Sequence, residues 1–532
     1  MTLVSTTTRR SRRPHVKVRK ARQAERESPQ GLTDGILHAG ATAGAAAATA
    51  ASITKAELTD AEVQAWRQDL EARLETVQQH PERNLGFIEE QIALGAKELW
   101  RLLAQRAAQA KANATPGPCL QCQTELVNQK YLSRKIDSRF GPLVLFRRYG
   151  WRPNCEVWFF PADHALGLGK NAPASPYVQE IAALLVSKMP PEQAVLVAER
   201  LGLNLSRCTL QREAHRQGLK AEAARTRSLA QLDTWEDRQQ LARAAEGPPT
   251  PPFRLVIEID AWNIRERDDW GQTEKLRAKG QPVSRWHWVY VGTVFRLDHR
   301  APTAGGRAVI SQRGYAVTRL GVEALIRQLY RQTLACGWAQ AQEVLVIADG
   351  ALWIWNAVQD RFPDARQRLD LYHADEHLWA VAHDLYGQGT PEARQWVAPL
   401  LKQLRNDHSP DVIQTLNELQ PALSQALQKK VQTQIEYFES HQNRMHYREI
   451  IKARKALAKD TATETQRLKA NEPLGSGAIV STCRQYQCRF KRTGQFWSAA
   501  GDEALMCLET FWRNGRWHEL YPHAKLASPS LN

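Results

Sequence analysis

Two runs of apolar, β-branched residues organise the pattern of this chain. Val344, Leu345, Val346 and Ile347 stand unbroken inside EVLVIADGALWIWN, and RLVIEIDAW repeats the form at 254–262. Such runs predict strands covered on both faces. Asp349 follows the first run directly, with Gly350 allowing a tight exit, and Asp260 stands near the end of the second. RWHWVYVGTVFRL alternates and predicts another strand, and RAVISQRGYAV a third. GVEALIRQLYRQTLACG predicts an amphipathic helix with a glycine stop. Residues 353–361 predict a helix closed by Phe362-Pro363, and RQRLDLYH predicts the last strand.

Three strands, helix, strand, helix, strand is an α/β order, and it matches the RNase H-like fold of polynucleotidyl transferases. There the first strand pairs centrally with the fourth, which sets Asp260 beside Asp349. Carboxyl ends of neighbouring strands are where open α/β sheets place ligand-handling groups. Two carboxylates meeting there predict a divalent-metal site. Taken singly, either aspartate reads equally as a helix cap or a turn former.

The remaining pattern divides the chain around this core, 251–375. Residues 1–58 are basic and then alanine-rich, with too little apolar surface to offset ordering entropy, and predict a disordered tail. Residues 59–113 carry apolar positions at helical spacing. Residues 114–165 resemble a zinc ribbon: Cys119 and Cys122 form a CxxC knuckle and Cys155 follows, but Arg152 stands where a fourth cysteine belongs. Either three thiolates and a further ligand hold Zn²⁺, or two strands around Gly141-Pro142 hold the ribbon by pairing alone. Residues 166–250 predict helices, among them a helix-turn-helix-like segment with Leu201-Gly202-Leu203 as the turn, Ser206 as N-cap, and Arg207, Arg212 and Arg216 on the second helix. GPPTPP predicts a linker and a domain boundary near 250.

Residues 376–470 predict an all-α insertion, with Trp379, Trp396, Leu400 and Leu401 as candidate core. The last part, 471–532, predicts helices. Gly475-Ser476-Gly477 opens one whose N-terminus suits a phosphate. Arg484, Arg489, Lys491 and Arg492 then track a DNA backbone, with Phe496 and Trp497 as stacking surfaces, or else form a solvated charged face. His373, Glu376 and His377 match H-x-x-E-H, an inverted zinc-protease signature, or line a helix packed beside the sheet.

Charge selects among partners. Over 532 residues the formal net charge is +16, which favours a polyanion, with double-stranded DNA the leading one. No apolar run reaches the roughly 18 residues of a membrane span, and the first residues lack the apolar core of a signal peptide. Eight cysteines are sparse for this length and fit reduced thiols in the cytoplasm, near the nucleoid.

Several segments, in order, are similar to the bacterial insertion-sequence transposases of the Kra-type group, within the Mutator-related set of DDE enzymes. They are VIEIDAWNIRERDDWG, RWHWVYVGTVFRL, VIADGALWIWN, RFPDARQRLDLYHADEHLW, EPLGSGAIVSTCRQYQCRFKR and GQFWSAAGDEALMCLETFWRNGRWHELYPH, spanning about 250–522. The resemblance implies DNA cleavage at the ends of a mobile element and strand transfer to target DNA, with Asp260 and Asp349 holding Mg²⁺ or Mn²⁺. It implies Asp370 and His373, a D-x-x-H pair, as support, and a homodimer or higher oligomer. One departure is plain. The family reads G-S-G, two residues, then glutamate, and Val480 stands at that sixth position. Either this copy is inactive, a DNA-binding protein derived from a transposase, or Glu503 or Glu472 substitutes.

Overall fold

In the computed structural model, which describes residues 50, 52–118, 124–170, 172–245, 252–267, 271–302 and 308–522, the chain forms two units, Met1–Ser175 and Pro176–Asn532.

In the first unit, helices α1 (Asp60–Gln79) and α2 (Leu85–Ala114) precede a three-stranded sheet, β1 (Val127–Ser138), β2 (Gly141–Arg152) and β3 (Val157–Phe159). The β1–β2 turn falls at Gly141, whose φ of +122° favours glycine. Gln105 and Gln109, one helical turn apart on α2, each donate to and accept from a β2 backbone group, at Val144 and Phe146. They satisfy strand groups that β3, pairing only with 150–152, leaves open. The ribbon is thus an antiparallel unit backed by a helix.

The second unit is built on five strands: β4 (Arg254–Glu266), β5 (Arg285–Arg296), β6 (Gly314–Thr318), β7 (Glu343–Ala348) and β8 (Arg366–Leu369). Their order is β8-β7-β4-β5-β6, with β4 parallel to β7, β7 parallel to β8, and β5 antiparallel to both neighbours. The α/β class read from the pattern is the class observed. Side-chain alternation sends Leu255, Ile257 and Ile259 into one layer and Val256 into the other, all essentially inaccessible. Both faces are covered, which is why the run shows no polar alternation.

On the first face lie helices α4 (Val322–Ala335) and α5 (Leu352–Arg361), following α3 (Arg207–Ala230) in the chain. Helix α6 (Leu371–Tyr386) opens an all-helical stretch that includes α7 (Gln425–His441). Leu400, Leu404, Val412, Val431, Ile435 and Phe438 belong to the same apolar cluster as Leu255 and Ile257. The insertion therefore shares the core of the sheet. Of its candidate core residues, Leu400 is buried and Trp379, Trp396 and Leu401 pack partly buried against it. On the second face, α8 (Gly477–Phe490) places Ala478 against Val256, Phe295 and Ile347. Helix α9 (Ala499–Arg513) packs on α3 so closely that a Cβ at Gly218 would fall 2.6 Å from Cβ of Ala504. Helices 176–245 thus belong to the unit of the sheet, although the linker signal near 250 predicts a boundary there.

Candidate active site

β4 and β7 run side by side in register, and the last paired residues are Glu258 and Ile347. Asp260 and Asp349 each lie two positions on, so they end level at adjacent parallel strands. Asp260 Oδ1 accepts from the Ala261 N–H at 2.6 Å, and Oδ2 accepts from the Cys483 thiol at 3.5 Å. Asp349 Oδ1 accepts from the Ala351 N–H at 2.9 Å, closing the turn into α5. Burial pushes the Asp260 carboxyl above its usual range, the Ala261 amide draws it partly back, and the Asp349 charge adds to the rise. Among the described residues, no lysine or arginine forms an ion pair with either aspartate. Two hard-oxygen ligands without a cationic partner are the donor set that Mg²⁺ or Mn²⁺ takes. Among the described residues, no three His, Cys, Asp or Glu side chains are arranged to hold a metal.

Helix α8 is locked against this edge from below. The Ile479 N–H donates to Glu258 Oε2 at 2.8 Å, and the Ser476 N–H donates to Asp370 Oδ2 at 2.7 Å. Asp370 also caps α6 by accepting from the Tyr372 N–H. A Cβ at Gly475 would fall 2.6 Å from Asp370 Oδ1, so the backbone passes only as glycine. The Ser476 and Ile479 donors at the start of α8 are thus taken by two carboxylates, which leaves less room for the expected phosphate seat there. Glu258 is fully buried, and burial pushes its carboxyl up to about 8. On the same side of α8, three residues apart, lie Val480 and Cys483. Cys483 touches Asp260, whereas Val480 is 41% exposed.

The insertion backs the second aspartate. Tyr437 on α7 donates its hydroxyl to the Asp349 carbonyl at 2.9 Å. Its ring stacks on His377 at 3.7 Å between centroids, and His373 meets His377 edge-on. Gly350 has a φ of +104°, and a Cβ there would fall 2.7 Å from the Tyr437 ring. His441, on the next turn of α7, is held down to about 4 by burial and the nearby Arg444.

The other expected residues separate. Glu472 is wholly buried, and Arg368, Arg254, Lys469 and Arg366 surround it at 2.6–3.1 Å. Burial would raise its pKa, but these cations outweigh it and hold the carboxylate down to about 2. Glu503 accepts from Arg225 at 2.5 Å and from the Thr318 hydroxyl and Arg319 N–H at 2.8 Å. It sits at the end of β6, with β5 between it and β4. Both acids are occupied in the fold. Arg489 is buried and donates to the Val186 carbonyl, which sets it apart from Arg484, Lys491 and Arg492, all exposed. Arg207 and Arg212 are exposed, and Arg207 pairs with Glu192; Ser206 caps α3 as expected. Glu376 points outward and pairs with His373. His377 is engaged by Gln434 and Tyr437, an arrangement that fits a packed helix. Cys119 and Cys122 lie outside the described residues, and Cys155 sits in a short turn before β3.

No protein-family model matches this chain, and no curated protein matches it. Sequence reasoning missed Glu258, Tyr437, His441 and Cys483. A glutamate inside an otherwise apolar strand was the available signal for the first. Tyr437 and His441 lie far from Asp349 in sequence and carried none.

Proposed function

We propose that the second unit is the RNase H-like core of a DDE-type DNA transposase whose cleavage is impaired because Val480 replaces the third acid. The observation that carries this reading is the level placement of Asp260 and Asp349 on adjacent parallel strand ends, beside the helix bearing residue 480. The strand order β8-β7-β4-β5-β6 supports it.

The roles follow from the local chemistry. Asp260 and Asp349 would hold Mg²⁺ or Mn²⁺, which when bound polarises a phosphoryl oxygen and favours a bound oxygen nucleophile. Tyr437 fixes the backbone of Asp349, and the Ala261 and Ala351 amides orient the two carboxylates. Asp370 and Glu258 fix the start of α8, and so the direction in which position 480 projects. Valine supplies neither a ligand nor a proton acceptor, and Glu472 and Glu503 are held by arginines elsewhere. DNA is the substrate class that the charge of +16 favours, and a dimer that joins two ends belongs to the same reading. The alternative, a protein retained only for DNA binding, is favoured by Val480 itself.

The experiment is end cleavage with Mg²⁺ or Mn²⁺ on DNA carrying the flanking repeats of the gene. The chain is compared with Val480→Glu and with Val480→Glu combined with Asp349→Asn. Cutting by Val480→Glu alone supports the reading. Cutting by the unaltered chain overturns the claim of impairment, and DNA binding without cutting by any variant leaves the binding-protein alternative.

A further inference from the structure

β4 and β5 run on past the rest of their sheet. β7 pairs with β4 only as far as Glu258, whereas β5 stays paired to Glu266. On this overhang Trp286 and Trp288 lie two residues apart, hence on one face, and each is 56% exposed. Their partners across the ladder, on the same face, are Arg265 and Asn263. The Arg265 guanidinium lies 5.4 Å from the Trp286 ring and 4.8 Å from Phe496. Lys491 lies 5.7 Å from the Trp286 ring and donates to Asn263 at 3.1 Å. Glu266 faces the other way, buried and held by Arg319 at 2.6 Å. Trp262 and Ile264 fill that opposite face, so the fold does not need the two outer indoles.

We propose that this overhang is a stacking platform for single-stranded DNA. Exposed rings interleaved with cations are the chemistry that takes unpaired bases and tracks their backbone. The cores of protein interfaces, by contrast, are depleted of charge. A duplex offers its phosphates but not its base faces, so the rings select the unpaired strand. Trp288 and Trp286 lie three and five residues along β5 from Val291, the partner of Asp260. That is about 10 and 17 Å along the strand, or roughly three and five stacked nucleotides at ~3.4 Å each. These residue spacings are odd, so the rings stand on the face opposite the Asp260 side chain, and the platform is a surface of its own on the overhang. Phe496 continues it into a cleft of about 790 Å³ that Arg492 and His215 also line.

This inference rests on the proposed function for DNA as the polymer, not for whether the rings stack on unpaired bases. The test uses the full chain and fluorescein-labelled dT20 beside a 20-base-pair duplex, read by anisotropy at one salt concentration. Trp286→Ala with Trp288→Ala is expected to weaken dT20 binding by ~30-fold or more and duplex binding by less than about 3-fold. Trp286→Phe with Trp288→Phe is expected to restore most of the dT20 binding, since the rings remain. Equal losses on both DNAs, or none, overturn the platform. So does dissociation of an oligomer by the alanine pair with dT20 binding intact, which makes the face a contact between copies. Tryptophan-dependent dT20 binding without any cleavage by Val480→Glu would sink the transposase reading alone, and cleavage without it would sink the platform alone.

Discussion

Glu472 and Asp349 belong to one α/β unit and are treated in opposite ways. Glu472 is buried among four cations, and every one of them lies within 3.1 Å. Asp349 has a backbone amide on one oxygen, a tyrosine on its carbonyl, and no cationic side chain among the described residues. Asp260 is alike, with an amide and a thiol. A carboxylate that the fold surrounds with arginines is spent on the fold. A pair left level, partly desolvated and without a counter-charge is destabilising unless a cation arrives. The proposed metal site rests on this lack of counter-charge.

The comparison breaks first if the two kinds of acid respond alike to removal. Glu472→Ala leaves Arg368 buried without its partner, and the expected cost is ~3–5 kcal/mol in urea unfolding. Asp260→Asn and Asp349→Asn are expected to leave stability unchanged or raise it, because they relieve desolvation and mutual repulsion. Losses of similar size in all three would show that the aspartates are structural.

Glu258 sharpens it through pH. Its carboxyl is raised to about 8 in the folded chain from an ordinary value of 4.5. The folded state therefore holds a proton that the unfolded state has lost between those values. Stability from this group is complete below about 4.5 and is lost as pH rises towards 8, at up to ~1.4 kcal/mol per pH unit. Glu258→Gln is expected to flatten that part of the profile when melting is followed from pH 5 to 8.5. A variant profile parallel to that of the parent would contradict it.

The legible part of the molecule was the part with local period. The largely apolar runs at 254–259 and 344–347 announced a sheet covered on both faces, and their terminal aspartates lie level on adjacent strands as that pattern implied. The hairpin at Gly141, the helical insertion and the Ser206 cap were readable for the same reason. Long-range pairing was not. Nothing near Glu472 in sequence names Arg254 or Arg368, so an acid bound into the fold looked like a spare ligand. Arg489 was counted with exposed neighbours because helical spacing alone does not reveal that Val186 covers it. Tyr437 reaches Asp349 across 88 residues.

A smaller effect follows from that reach. Tyr437→Phe removes the hydrogen bond to the Asp349 carbonyl at an expected ~1 kcal/mol of stability. It is also expected to weaken Mn²⁺ binding about 3- to 10-fold, by loosening a carboxylate whose orientation the bond fixes. A loss of stability with Mn²⁺ affinity unchanged would show that the tyrosine only packs the insertion.

The central claim is that Asp260 and Asp349 form an incomplete metal site whose missing ligand belongs at 480. Titration of Mn²⁺ into the chain, Val480→Glu, and Val480→Glu with Asp349→Asn, by calorimetry at pH 7.5, tests it most directly. The account predicts weak binding by the chain, at least ~10-fold tighter binding by Val480→Glu, and loss of that gain in the double variant. A Val480→Glu protein that binds Mn²⁺ no better than its parent, or whose gain survives Asp349→Asn, would contradict it.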